Sequence, residues 1–150
     1  MEAIAIREYG GADVPNLEEV TLPSLARGEA LVRLGAPGIN FKEIRERLPG
    51  STAPHLPYVP VMEGAGLVKA VGDGADRSLV GRRIGYVLLR RVSYASRSVV
   101  EADALIPLPE TVSEVDAATM LVNNRWPTFR CITASLAPVR PSSFTPRQGG

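Results

Sequence analysis

The chain has 150 residues, 45% apolar and 22% charged, a composition that fits one soluble globular domain around a single ordinary core. Its 17 basic and 16 acidic residues give +1 overall, yet the charged residues after Asn124 are Arg125, Arg130, Arg140 and Arg147, so the first 124 residues carry 13 basic and 16 acidic groups. That acidic balance argues against a nucleic-acid-binding body, and a single cysteine, Cys131, with a single histidine, His55, excludes an internal disulfide and a zinc-spaced Cys/His set.

No apolar run approaches the roughly 18 residues of a membrane span. The start, "MEAIAIREYGG", has Glu2 where a signal peptide needs positive charge, so the expectation is a cytoplasmic protein with no membrane partner.

In chain order, short apolar runs separated by glycine and proline predict strands in "EAIAIREY", "GEALVRLGA", "PVMEGAGLVKAVG", "GRRIGYVLL" and "SYASRSVVEADALIPL". Within "EALVRL", Ala30, Val32 and Leu34 share one face and Glu29, Leu31 and Arg33 the other. A first short helix is predicted in "GINFKEIRER", where Asn40 can cap through its side-chain oxygen while Glu43 reaches back to the Asn40 amide. "VGDGADRS" reads as a hairpin loop, with Gly72 and Gly74 for positive φ and Asp73 to bond its own backbone. A second helix is predicted in "TVSEVDAATMLV", capped by Ser113 with Asp116, its apolar positions Val115, Ala118 and Val122 near helical spacing. Thirteen prolines suit strand edges and corners better than long helices, so the predicted fold is mainly β, a small, partly open barrel with two short helices.

The order of "REYGGADVPNLEEV", "GEALVRLGAPGINFKEI", "PYVPVMEGAGLVKAVGDGA", "VGRRIGYV" and "SYASRSVVEADALIPLPETVSEVDAATMLVN" resembles the amino-terminal, GroES-like half of a zinc-independent quinone oxidoreductase of the medium-chain dehydrogenase/reductase superfamily, over residues 1–123. The resemblance implies an NADPH-dependent reductase of quinones or other conjugated carbonyls, its barrel facing a Rossmann domain that follows in sequence. It implies that Asn40, the asparagine of "GIN", lies by the nicotinamide as a cofactor-binding residue, and that Phe41 and Ile44 line the substrate cleft. Zinc-dependent relatives are expected to place a cysteine where this chain has Phe41 to Glu43 and a histidine where it has Met62, so no metal is expected.

Plainer readings stand beside these. Asn40 as a helix cap is compatible with Asn40 as a cofactor contact. Gly64 and Gly66 of "EGAG" fit close backbone packing better than a nucleotide loop, because the third glycine of such a loop would fall at Lys69. His55 reads as a solvated loop residue, and Glu63 as a structural acid beneath the cleft whose partner the sequence does not name. The chain departs from the family pattern at Arg82, which replaces an acid in "VGRR", and at Val92 and Ser96 in "VSYASRS". A bare GroES-like barrel acting as a binding module, co-chaperonin-like or ligand-binding, is the competing function. A basic tail acting as an RNA or membrane arm is another, weakened by how widely its arginines are spaced.

Residues 124–150 read as an irregular tail with four prolines and no strand-length apolar run, where the family would continue into its first Rossmann strand and pyrophosphate loop. With permitted synonymous codons from Pro141 to Gly149, a shifted frame reads V-L-I-H-A-A-A-G-G, so the expectation is a frameshift near codons 121 to 140. On that expectation the Rossmann domain and its pyrophosphate loop are absent, and the chain is inactive alone and marginally stable.

Overall fold

The computed structural model describes residues 1–50, 55–88 and 92–122. The predicted tail from 124 onward, and with it the frameshift, lies outside the described residues.

The first strand, β1 (Glu2–Ile6), pairs antiparallel with β2 (Pro15–Glu19) in a two-stranded sheet. A second sheet contains β3 (Glu29–Pro37), β4 (Glu63–Val71), β5 (Arg83–Val87), β6 (Arg97–Glu101) and β7 (Ile106–Pro107), in the spatial order β6-β3-β4-β5-β7. Every strand pair is antiparallel, and among the described residues there is no parallel β-α-β unit of the Rossmann kind. Isolated bridges Ala3↔Ala95 and Ile6↔Tyr58 tie β1 to the segments that precede β6 and β4, without closing a barrel. Among the described residues two α-helices complete the fold, α1 (Phe41–Glu46) and α2 (Glu114–Met120), so it is mainly β and open, as the punctuated apolar pattern predicts.

The alternation in β3 is what fixes its register. Ala30 and Val32 are fully buried while Arg33 is exposed, and Val68, Ile84, Tyr86 and Val100 from the neighbouring strands meet them in the main core. Each such aliphatic side chain contributes about 1.5–3 kcal/mol when fully removed from water, so this cluster dominates the domain's stability. Tyr86 keeps its hydroxyl satisfied inside the core through a 2.9 Å hydrogen bond with Ser93 Oγ.

Gly66 confirms close packing as the reason for "EGAG". A Cβ there would sit 2.1 Å from the carbonyl oxygen of Arg33, on a strand that bulges between Leu31 and Val32 and between Leu34 and Ala36. The loop after β4 corrects part of its expectation: Gly74 has φ +80, but Gly72 does not, and is needed instead because Ala26 O lies 1.9 Å from where its Cβ would be. Asp73 offers its backbone carbonyl to Gly28 N–H, and Asp76 is the side chain that caps the turn, accepting from Ser78 N–H at 2.8 Å.

The face of α2 also differs from the expectation. Ser113 caps it, its Oγ accepting from Asp116 N–H at 3.0 Å, but Val115 is 61% exposed and Val122 44% exposed. The buried stripe is Ala117, Ala118 and Leu121, because small alanines let the helix approach Ala36 and Ala65 closely where valines would not fit. The short polar strand β2, "PNLEE", is not among the predicted runs; its alternating signal is weak because Leu17 is exposed and its partly buried residues are Pro15 and Glu18.

Candidate functional site

Asn40 sits where β3 has ended and α1 has not begun. Gly38 makes that passage possible: its amide donates to Glu63 O at 3.1 Å, and a Cβ there would lie 2.3 Å from Ala118 O and 2.5 Å from the Glu63 side chain. Asn40 follows in an extended conformation as the N-cap of α1. One half of the expected capping box forms as a firm bond, the Asn40 N–H donating to Glu63's neighbour in the site, Glu43, at Oε2 over 2.8 Å.

The Asn40 side chain, set with Glu43 in a capping-box arrangement at the start of α1, also reaches the acid Glu63. Its Nδ2 donates to Glu63 Oε1 at 2.6 Å and to Gly38 O at 3.1 Å, and the first helical turn is closed by Glu43 N–H donating to the Asn40 backbone carbonyl. Asn40 Oδ1 is buried and makes no hydrogen bond. A carbonyl in that condition costs about 1–3 kcal/mol, which is the loss a donor arriving with a ligand would remove.

Glu63 is the hub of the site and is fully buried at the start of β4. Its Oε1 takes the Asn40 amide, and its Oε2 accepts from Val122 N–H at 2.8 Å at the end of α2. Burial raises the Glu63 carboxyl above the ordinary carboxylate range; the Asn40 and Val122 hydrogen bonds oppose that rise, and the nearby Glu43 charge adds to it. The sequence places this acid beneath a cleft, and the structure supplies both of its partners.

Phe41 and Ile44 are 72% and 43% exposed on α1, with Ile39 and Leu48 also open to solvent nearby. They border two recesses. Phe41 lines an open groove of about 580 Å³ with Lys42, Arg45 and Leu48, whereas Ile44 lines a smaller recess of about 60 Å³ with Ile39, Glu43 and Val61. Lys42 Nζ donates to Met62 Sδ at 2.8 Å and pairs with Glu46 at 3.3 Å. Among the described residues no three His, Cys, Asp or Glu side chains gather as a metal site would need.

Two features of the site carry no sequence signal. Val61 has φ 75 and is fully buried, a conformation that costs a β-branched residue about 1–2 kcal/mol, and its carbonyl accepts from both Val92 and Ser93 N–H at 3.0 Å. Arg47 Nε is buried in the Ile44 recess without a hydrogen-bond partner. His55 is exposed, as a solvated loop residue should be. Ser96, standing where the family pattern has an acid, donates its Oγ and its N–H to Glu2 O, and Arg82 is exposed.

The open antiparallel fold, with a capped turn after β3 and a buried acid beneath that cap, is of the GroES-like class. The chain belongs to the alcohol dehydrogenase GroES-like domain family, whose profile matches residues 26–110. It is 32% identical to quinone oxidoreductase of Mus musculus over 115 residues, covering 75% of this chain and 35% of that protein. Over 126 residues it is 32% identical to the synaptic vesicle membrane protein VAT-1 homolog of Homo sapiens, covering 82% of this chain and 32% of the other. Among solved structures, the Escherichia coli quinone oxidoreductase complexed with NADPH aligns with a TM-score of 0.73 at 31% identity, over 79% of this chain and 36% of its own. The human VAT-1 homolog-like protein aligns with a TM-score of 0.78 at 25% identity, over 93% and 45%. The chain therefore corresponds to the amino-terminal, GroES-like part of the quinone oxidoreductase type and spans about a third of the length of the curated relatives it matches.

Proposed function

We propose that this chain forms the nicotinamide-facing wall of a cytoplasmic, zinc-independent, NADPH-dependent reductase of quinones or conjugated carbonyl compounds. One observation carries the reading: the Asn40 carboxamide is gripped through its nitrogen by Glu63 while its oxygen is left without a donor. A nicotinamide carboxamide has an N–H of the kind that oxygen lacks, so the residues present fit that end of the cofactor. When bound, NADPH supplies the hydride that reduces the acceptor.

The chain's own residues then have three tasks. Glu63 holds Asn40 at a fixed angle, since a carboxylate bonded at both oxygens cannot swing. Asn40 Oδ1 would accept a hydrogen bond from the ring's amide and so help to hold and orient it. Phe41, Ile39 and Ile44 supply exposed apolar surface that a flat acceptor covers, excluding water from the place of transfer. The wall that would bind the cofactor's pyrophosphate is not among the described residues, and we infer that this chain alone binds the dinucleotide weakly and does not turn over.

Reduced nicotinamide mononucleotide tests the reading, because it needs no pyrophosphate cradle. In a nitrogen-edited NMR titration of the 150-residue chain it is expected to shift the Asn40 side-chain amide and the backbone amides of Phe41 and Ile44. A titration that leaves these three signals in place while others move would overturn the assignment.

A further inference from the structure

A cavity of about 210 Å³ lies apart from the Asn40 site and shares no lining residue with it. Its wall is formed by Val20 and Pro23 on the segment after β2, by Val59 and Val92, and by Ser98 and Val99 of β6. Strand β6 is an outer strand of the large sheet, paired to β3 alone, and the chain's first residue closes over it: the Met1 ammonium donates to Val20 O at 2.8 Å and Val20 N–H to Met1 O at 2.9 Å.

One polar side chain on this wall is unsatisfied. Ser98 is 1% exposed, sits opposite Val32 in the ladder, and its Oγ makes no hydrogen bond. A hydroxyl buried this way is normally paired. Val20, Pro23, Val59, Val92 and Val99 make most of the wall apolar, and Thr21, Glu29 and Met1 are its other polar or charged members besides Ser98. Glu29 also lines the cavity, its carboxylate accepting from Ala26 N–H at 3.0 Å, and a negative rim disfavours anions. An apolar cavity of about 150 Å³ accommodates benzene, so this one has room for a ring and a small substituent.

We propose that this cavity is a second ligand site, for a neutral single-ring apolar molecule carrying one hydroxyl or carbonyl oxygen, a phenol in its simplest form, with that oxygen on Ser98 Oγ. The hydroxyl both donates and accepts, so either oxygen type is served. The site stands independently of the redox reading, since it shares no lining residue with the recesses beside Asn40.

The probes are p-cresol and toluene, which differ by the oxygen, followed by methyl-resolved NMR on the 150-residue chain. Both are expected to shift the methyl signals of Val20, Val59, Val92 and Val99 and to leave those of Ile39 and Ile44 in place. Ser98→Ala is expected to weaken p-cresol about 3- to 10-fold, the range one net hydrogen bond gives, while toluene changes less than about twofold. The same variant is expected to melt at a higher temperature without ligand, because it removes an unpaired buried hydroxyl, so folding is not at risk. Shifts absent from the four valines overturn the site; equal losses for the two probes in Ser98→Ala overturn the role given to the hydroxyl.

Discussion

Asn40 Nδ2 donates to Glu63 Oε1 at 2.6 Å, joining two residues 23 positions apart and locking the turn before α1 to the first residue of β4. The other Glu63 oxygen holds Val122 N–H, 59 positions away, so one carboxylate fixes both the cap of α1 and the end of α2. Three consequences of this site and two of the surrounding fold can be measured.

The Glu63 carboxyl titrates above its ordinary value of 4.5, with burial as the first cause. A raised value means that the folded state holds the proton more tightly than the unfolded chain. The stabilisation from the neutral form is therefore complete below about 4.5 and is lost as pH rises through the raised folded value. Denaturant unfolding from pH 4 to 8 is expected to show this decline, and Glu63→Gln is expected to flatten it. An unchanged slope in the variant would show that Glu63 is not the responsible group.

Removing the acid is expected to cost more than its contacts suggest. Glu63→Ala removes the shared acceptor of the Asn40 amide nitrogen, which keeps Gly38 O, and of the Val122 N–H, at about 0.5–1.5 kcal/mol for each lost hydrogen bond, and opens a cavity where a fully buried side chain stood. Asn40→Ala removes the two hydrogen bonds of Nδ2, to Glu63 Oε1 and Gly38 O, but leaves the Val122 bond and the fully buried Glu63 side chain in place, and should cost less. Urea midpoints of the two variants compare them directly; equal losses would argue that Asn40 is held by something other than Glu63.

Phe41→Ala should behave differently from both. The ring is 72% exposed, so stability is expected to change by less than about 0.5 kcal/mol. If the ring covers the acceptor, binding of a flat probe such as menadione to the chain weakens in the variant while the melting temperature stays put. A fall in melting temperature of many degrees would place Phe41 in the core instead.

Gly66→Ala puts a methyl group 2.1 Å from the backbone oxygen of Arg33, where no side-chain rotation gives relief. Overpacking of this kind costs about 1–3 kcal/mol. Gly28→Ala meets no atom and carries only the strain of φ +76, about 1–2 kcal/mol. The larger loss belongs to Gly66, and thermal melts of the two single variants decide the order.

Val61 and Val68 are both buried valines, but only Val61 has positive φ. Glycine at either site creates a similar cavity, and at Val61 it also releases about 1–2 kcal/mol of backbone strain. Val61→Gly is thus expected to destabilise less than Val68→Gly. The reverse order in chemical denaturation would mean that the left-handed conformation at Val61 carries no strain.

Much of the fold was legible because it is written locally. The alternation of Ala30, Val32 and Leu34 against Arg33 predicts a half-buried strand, and Ser113 with Asp116 predicts the start of α2, since both patterns act over a few neighbouring residues. Reading failed where two signals of equal local strength competed. Val115 and Val122 have helical spacing but stay exposed, because the distance between α2 and the sheet admits Ala117 and Ala118 and not a branched side chain. Likewise Gly72 looks like a turn glycine and is a packing glycine, a distinction made by Ala26, 46 positions earlier.

By itself the sequence determined the strand pattern, the helix starts, the family motifs and the presence of an acid at Glu63 amid small apolar neighbours. Tertiary structure alone decided that this acid would be wholly buried, that it would take the Asn40 amide and leave Asn40 Oδ1 free, and that Val61 would be held at positive φ. The reason is one of range: periodicity and capping are settled by neighbours within a turn or a ladder step, whereas desolvation, hydrogen-bond partners and strain arise only when segments 23 and 59 residues apart are pressed together.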